Sequence, residues 1–181
     1  MRIIAGEWRG RPLSAPEGRD TRPTSDRARE GLFSILVSRL GSFEGLHAAD
    51  LFAGTGALGL EALSRGAAHC LFVEKERGAI AALQRNIAAF GAGDRTHIQS
   101  QSVEYANPPA RPCDLVFLDP PYKSGLGEMA LKRICNAGWV ATGGLVSIES
   151  DGTPLEAPPG FTIEAERRFG KAYLTLFRRD I

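Results

Sequence analysis

One stretch constrains this chain more than any other: Asp50-Leu51-Phe52-Ala53-Gly54-Thr55-Gly56-Ala57-Leu58-Gly59. Gly54, Gly56 and Gly59 keep the spacing G-x-G-x-x-G, between an apolar strand pattern over residues 47–52 and a helical pattern over residues 57–64. A tight glycine turn from strand to helix opens a crossover between parallel strands. The alternation then repeats. Strands are predicted over residues 70–74, 96–99, 114–119 and 145–149, and helices over 77–90 and 127–137. Leu115-Val116-Phe117-Leu118 is apolar at every position, as in a strand covered on both faces. Residues 162–169 and 172–178 flank a Gly170-Lys171 turn and read as a hairpin. The pattern predicts an α/β fold, a doubly wound, mostly parallel sheet that binds its ligand at the carboxyl ends of its strands.

Size and composition agree with that fold. The 181 residues are 43% hydrophobic and 24% charged, enough for one compact domain with its own core. No apolar run approaches the roughly 18 residues of a membrane span, and no long apolar leader opens the sequence. Cys70, Cys113 and Cys135 are odd in number and lack CxxC spacing. Neither a disulfide framework nor a zinc site is expected, and a reducing cytoplasm fits. His47, His69 and His97 show no ligand spacing, so no metal is expected.

Upstream of the alternation the sequence is different. Residues 1–23 read as an extended arm broken by Gly6, Gly10, Pro12, Pro16, Gly18 and Pro23, and Thr24 or Ser25 caps a helix running to about Leu40. The arm and helix, residues 1–40, are expected to pack on a ligand-binding body formed by residues 41–181. The net charge of +1 argues against a nucleic-acid partner until it is divided. Residues 1–40 hold eight arginines against five acids, and the remainder holds 14 basic and 16 acidic groups. A +3 head therefore sits on a −2 body. Arginine grips phosphate with a planar fork, so the head is a candidate nucleic-acid contact.

Two ligands compete for the glycine loop. A dinucleotide would set its pyrophosphate at the helix N-terminus, with Glu74 on a ribose hydroxyl. S-adenosylmethionine would bring a cationic amino-acid and sulfonium end to the same place. Asp50, four residues before Gly54, repels the first and attracts the second, so the sulfonium cofactor is favoured.

Asp119-Pro120-Pro121-Tyr122 ends the fourth predicted strand. The prolines fix φ and present a carboxylate, rigid carbonyls and an aromatic ring together. That set suits methylation of an exocyclic amine on a base. Asp119 and the Pro120 carbonyl would accept its two N–H groups and stabilise the positive charge that develops, while Tyr122 stacks on the base.

These residues resemble class I S-adenosylmethionine-dependent methyltransferases. More narrowly, the chain resembles the RsmD-type bacterial small-subunit ribosomal RNA guanine-N2 methyltransferases. The narrower likeness rests on residues 2–13, residues 21–30 (Thr21-Arg22-Pro23-Thr24-Ser25-Asp26-Arg27-Ala28-Arg29-Glu30) and the closing turn at residues 168–172. It implies a seven-stranded sheet with an antiparallel last strand. It also implies that Asp50, Phe52, Gly54 and Gly56 hold the methionine end, that Glu74 meets the ribose and that Lys75 lies beside the adenine. Arg22 and Thr24 would close over the cofactor. Arg2, Trp8, Arg9 and Arg11 would touch RNA, within an assembled particle, with the enzyme a monomer. The family usually carries an Asp after the third strand to meet the adenine amino group; here Gln101, followed by Ser102, takes that place. Other readings stay open: an amino-group methyltransferase acting on adenine N6 or a protein glutamine, a non-catalytic RNA-binding module, or a nicotinamide enzyme.

Overall fold

A computed structural model describes residues 1–17 and 26–181. Helix α1 (Asp26–Leu40) precedes strand β1 (His47–Leu51), helix α2 (Ala57–Ser64), strand β2 (His69–Val73) and helix α3 (Arg77–Ala89). Strands β3 (Thr96–Gln99) and β4 (Cys113–Leu118), helix α4 (Leu126–Asn136) and strands β5 (Val140–Ser150), β6 (Phe161–Phe169) and β7 (Ala172–Arg179) follow. One sheet contains all seven strands in the order β3-β2-β1-β4-β5-β7-β6. The first five run parallel, and β7 pairs antiparallel with both β5 and β6. Strand order reverses between β1 and β4, which opens a crevice above their carboxyl ends.

Side chains alternate across the sheet and build two apolar layers. Ala48, Phe72, Leu115 and Phe117 face the layer covered by α1, α2, α3 and residues 1–17. Leu51, Leu71, Val116 and Ile148 face the layer covered by α4 and Trp139. Residues expected as strands and helices fall in strands and helices, with ends moved by a residue or two. The exception is β5, which starts at Val140 rather than Leu145. A register shift against β4 absorbs Gly143 and Gly144 inside the strand, where the sequence pattern shows only a turn.

Residues 1–17 close into a turn packed on the core rather than running as an extended arm. Ile3 and Gly10 exchange backbone bonds with Arg11 and Ile3, and Arg2 bridges Pro12 in an antiparallel turn. The turn is sewn to α2. Buried Glu61 accepts the Ile4 and Ala5 N–H groups at 2.8 and 3.0 Å, and Ser64 Oγ accepts from Trp8 N at 3.0 Å. A Cβ on Gly6 would lie 1.9 Å from the Ser64 carbonyl oxygen, so the approach requires glycine.

Candidate functional site

The sheet register brings the candidate residues together. Leu51 is level with Val73 of β2 and Leu118 of β4, so Phe52, Glu74 and Asp119 leave adjacent strands side by side. Leu118 is level with Ile148, which sets Asp119 next to Glu149.

The glycine loop is held from behind. Gly54 and Gly56 have φ of +57° and +84°, and Phe52 shares the left-handed region at 61°. A Cβ on Gly56 would come within 2.4 Å of Leu83 Cδ1, and one on Gly59 within 2.4 Å of Phe72 Cε1. A Cβ on Gly54 would meet nothing within 4 Å, because that residue faces open space. Glu74 Oε2 accepts the Gly54 N–H at 2.8 Å, while Oε1 accepts from Lys75 and Glu76 N–H at 2.8 and 2.9 Å. A carboxylate has about four lone-pair positions, so this partly buried group keeps room for another donor.

Asp50 is 1% exposed and accepts the Gly59 N–H through Oδ2 at 2.9 Å. It therefore supports α2 from beneath as well as lining the cleft at the loop. Burial, opposed by that hydrogen bond and reinforced by the charges of Asp119 and Glu74, raises its pKa well above the ordinary carboxylate value.

Asp119 and the buried Pro120 stand where three hollows meet. A cavity of about 550 Å³ is lined by Phe52, Glu74, Lys75, Gln101, Asp119 and Tyr122, among others. A cleft of about 220 Å³ runs along Asp50, Phe52, Gly54, Thr55 and Asp119. A third, of about 190 Å³, lies between Pro120, Pro121, Tyr122, Lys123 and Glu149. Tyr122 donates its hydroxyl to Glu149 Oε1 at 2.7 Å, which fixes the ring against the third hollow. Sequence reasoning missed Glu149. Its signal was a carboxylate ending an apolar strand one place over from Asp119.

Gln101 and Ser102, which follow the third strand, line the cavity of about 550 Å³ beside buried Val103. Arg22 and Thr24 lie outside the described residues. Among the four residues assigned to RNA, Trp8 needs correction. It is 4% exposed and stacked on Phe90 with ring centroids 4.9 Å apart, because the turn folds its ring into the core. Arg2, Arg9 and Arg11 are exposed. Arg2 donates to the Gly10 carbonyl, and Arg11 lies over Phe90 and donates to the Ala89 carbonyl, whereas the exposed Arg9 guanidinium has no such partner among the described residues. Among the described residues no cluster of three His, Cys, Asp or Glu side chains is suited to hold a metal ion, and no helix is long and apolar enough to cross a membrane.

The strand order, the antiparallel β7 and the acidic, glycine-lined crevice define a Rossmann-like class I methyltransferase fold. The solved structure of yhhF from Escherichia coli superposes with a TM-score of 0.87 at 35% identity, covering 99% of this chain and 98% of that one. The family described as Conserved hypothetical protein 95 matches residues 1–178, and the chain belongs to it. The ribosomal RNA small subunit methyltransferase D of Escherichia coli K12 is 37% identical over 99% of this chain and 90% of its own length. The protein of that name from Haemophilus influenzae is 34% identical over 98% of this chain and 93% of its own length.

Proposed function

We propose that this enzyme transfers a methyl group from S-adenosylmethionine to the exocyclic N2 of a guanine in small-subunit ribosomal RNA. The observation that carries the reading is the position of Asp119 and Pro120 at the junction of the three hollows. The residues present fit the cofactor: a glycine with open space at its missing Cβ, a carboxylate with a vacant acceptor position, and a half-apolar cavity beside Gln101. Glu74, Lys75, Gln101 and Ser102 would hold the adenosine, and Asp50, Phe52, Gly54 and Gly56 the amino-acid end. When bound, the cofactor supplies an electrophilic methyl group on its sulfonium.

The chain's own part is to make a poor nucleophile competent. The lone pair of a guanine N2 is delocalised into the ring. Asp119 and the Pro120 carbonyl accept its two hydrogens, draw the nitrogen toward tetrahedral geometry and stabilise the positive charge that grows on it. Tyr122, steadied by Glu149, stacks on the extruded base. The methylated nitrogen is acidic and sheds one proton to an acceptor such as Asp119. Relatives named ribosomal RNA small subunit methyltransferase D support an RNA substrate, and the proposal takes that RNA within an assembled particle in the cytoplasm. The test is transfer of a tritiated methyl group to small subunits from a strain lacking the activity, followed by nucleoside analysis. Label is expected in N2-methylguanosine; label in adenosine or in protein overturns the substrate assignment.

A further inference from the structure

The cavity beside Glu74 contains a hydrogen-bond chain whose direction is set by backbone atoms. The side chain of Gln99, the last residue of β3, reaches Asn107. Gln99 Nε2 donates to the Asn107 carbonyl at 2.9 Å, and the Asn107 N–H donates to Gln99 Oε1 at 2.9 Å. A backbone carbonyl only accepts and a backbone N–H only donates, so the two ends of the Gln99 carboxamide cannot be exchanged. Gln99 Oε1 faces Gln101 as well, and Gln101 Nε2 donates to it at 2.7 Å. Gln101 is tied a second time by its own N–H, which donates to the Gln99 carbonyl at 3.0 Å. That bond uses one of the two amide hydrogens and fixes which way the carboxamide faces, since turning it over would set its Oε1 against the Gln99 Oε1; held so, the Gln101 Oε1 accepts no hydrogen bond from the described residues.

We infer that Gln99 is a positioning residue that locks Gln101 as a hydrogen-bond acceptor and thereby makes the cavity select a purine carrying an exocyclic amine. The inference rests on the cofactor reading above. Gln101 by itself is ambiguous, because a free carboxamide turns over and serves a donor or an acceptor equally. The lock removes the ambiguity. An adenine amino group meets an acceptor, whereas the C6 carbonyl of a hypoxanthine meets oxygen against oxygen and leaves both groups unpaired. A carboxylate at position 101 needs no lock, since it has no donor to turn. The glutamine here acts as an acceptor only because Gln99 and the Asn107 backbone hold it so.

The test is titration calorimetry of the full chain with S-adenosylhomocysteine and S-inosylhomocysteine, which differ only at C6 and N1 of the purine. The unsubstituted protein is expected to prefer the adenosyl compound by about 10- to 100-fold, the usual effect of an unpaired buried polar contact. In Gln99→Met, which keeps the side-chain length without the amide, the preference falls to within about threefold, because Gln101 is free to turn. Gln99→Leu gives the same collapse. Adding Gln101→Glu to Gln99→Met restores the preference. A preference unchanged in both Gln99 variants overturns the positioning role and leaves the cofactor assignment standing. Equal affinity of the unsubstituted protein for the two compounds also overturns it. If the unsubstituted protein binds neither compound, the cofactor assignment itself fails.

Discussion

Asn86 Nδ2 donates to the Thr55 carbonyl at 3.0 Å, and the same carboxamide pairs with Ser14. It accepts the Ser14 N–H at 2.7 Å and donates to the Ser14 carbonyl at 3.1 Å. One buried side chain on α3 therefore fastens the N-terminal segment to the glycine loop. Asn86→Leu keeps the volume and strands three backbone groups, at a cost of about 2–4 kcal/mol. Urea unfolding is expected to show that loss, together with weaker binding of S-adenosylhomocysteine. A variant with unchanged stability would remove Asn86 from the role.

Asp119→Ala is expected to lower methyl transfer by about 10²- to 10³-fold while cofactor affinity changes only a few-fold, since the proposed function has the carboxylate serve the base rather than the loop. Single-turnover rates and calorimetry separate the two quantities. A parallel loss of both would assign Asp119 a structural role.

Asp50 gives a pH prediction with a defined sign. Its pKa in the folded state lies well above the ordinary value near 3.8, so the folded protein holds this proton more tightly than the unfolded chain. Stability contributed by this group is present at low pH and is lost as pH rises from the unfolded value through the raised folded one. Asp50→Asn keeps an acceptor for Gly59 N–H and removes the buried charge. Its melting temperature is expected to vary less across that window and to be no lower at pH 7. Cofactor affinity reports the other role, and a fall at neutral pH is expected if the carboxylate faces the amino-acid end. A steeper pH dependence in the variant would contradict the burial argument.

Arg9 is exposed and, among the described residues, no ring or carbonyl holds it, whereas Arg11 is occupied by Phe90 and Ala89. Arg9→Ala is expected to reduce the slope of log affinity against log salt for ribosomal RNA by about one unit, and Arg11→Ala by less. An unaltered slope for Arg9→Ala would take the turn out of the RNA interface.

The strands and helices of the body were legible because their apolar periods are local, and the glycine loop and Asp119-Pro120-Pro121-Tyr122 lie contiguous in sequence. What stayed hidden was long-range. Glu61, Ser64 and Asn86 belong to ordinary helical patterns, and nothing near them announces that they hold residues more than fifty positions upstream. Gly6, Gly10 and Pro12 suggested an extended arm because glycine and proline break helices equally well in an extended segment and in a tight turn. Trp8 stands among arginines expected to touch RNA, and its partner Phe90 lies 82 residues away. The start of β5 was masked by Gly143 and Gly144, whose bulge depends on β4 rather than on local sequence.

The place of β7 in the sheet has a consequence for the order of assembly. The strand β7 sits inside the sheet, and among the described residues β6 has no neighbour there except β7. β6 therefore cannot dock by itself. Closure of the two as a hairpin about Gly170 involves only local contacts, which favours their addition to β5 as a preformed ribbon. Until that ribbon arrives, β5 is an open edge and Glu149, level with Leu174 of β7, lacks its neighbouring strand. The strand ends that precede Phe52, Glu74 and Asp119 can thus be paired with one another before Glu149 gains the strand beside it.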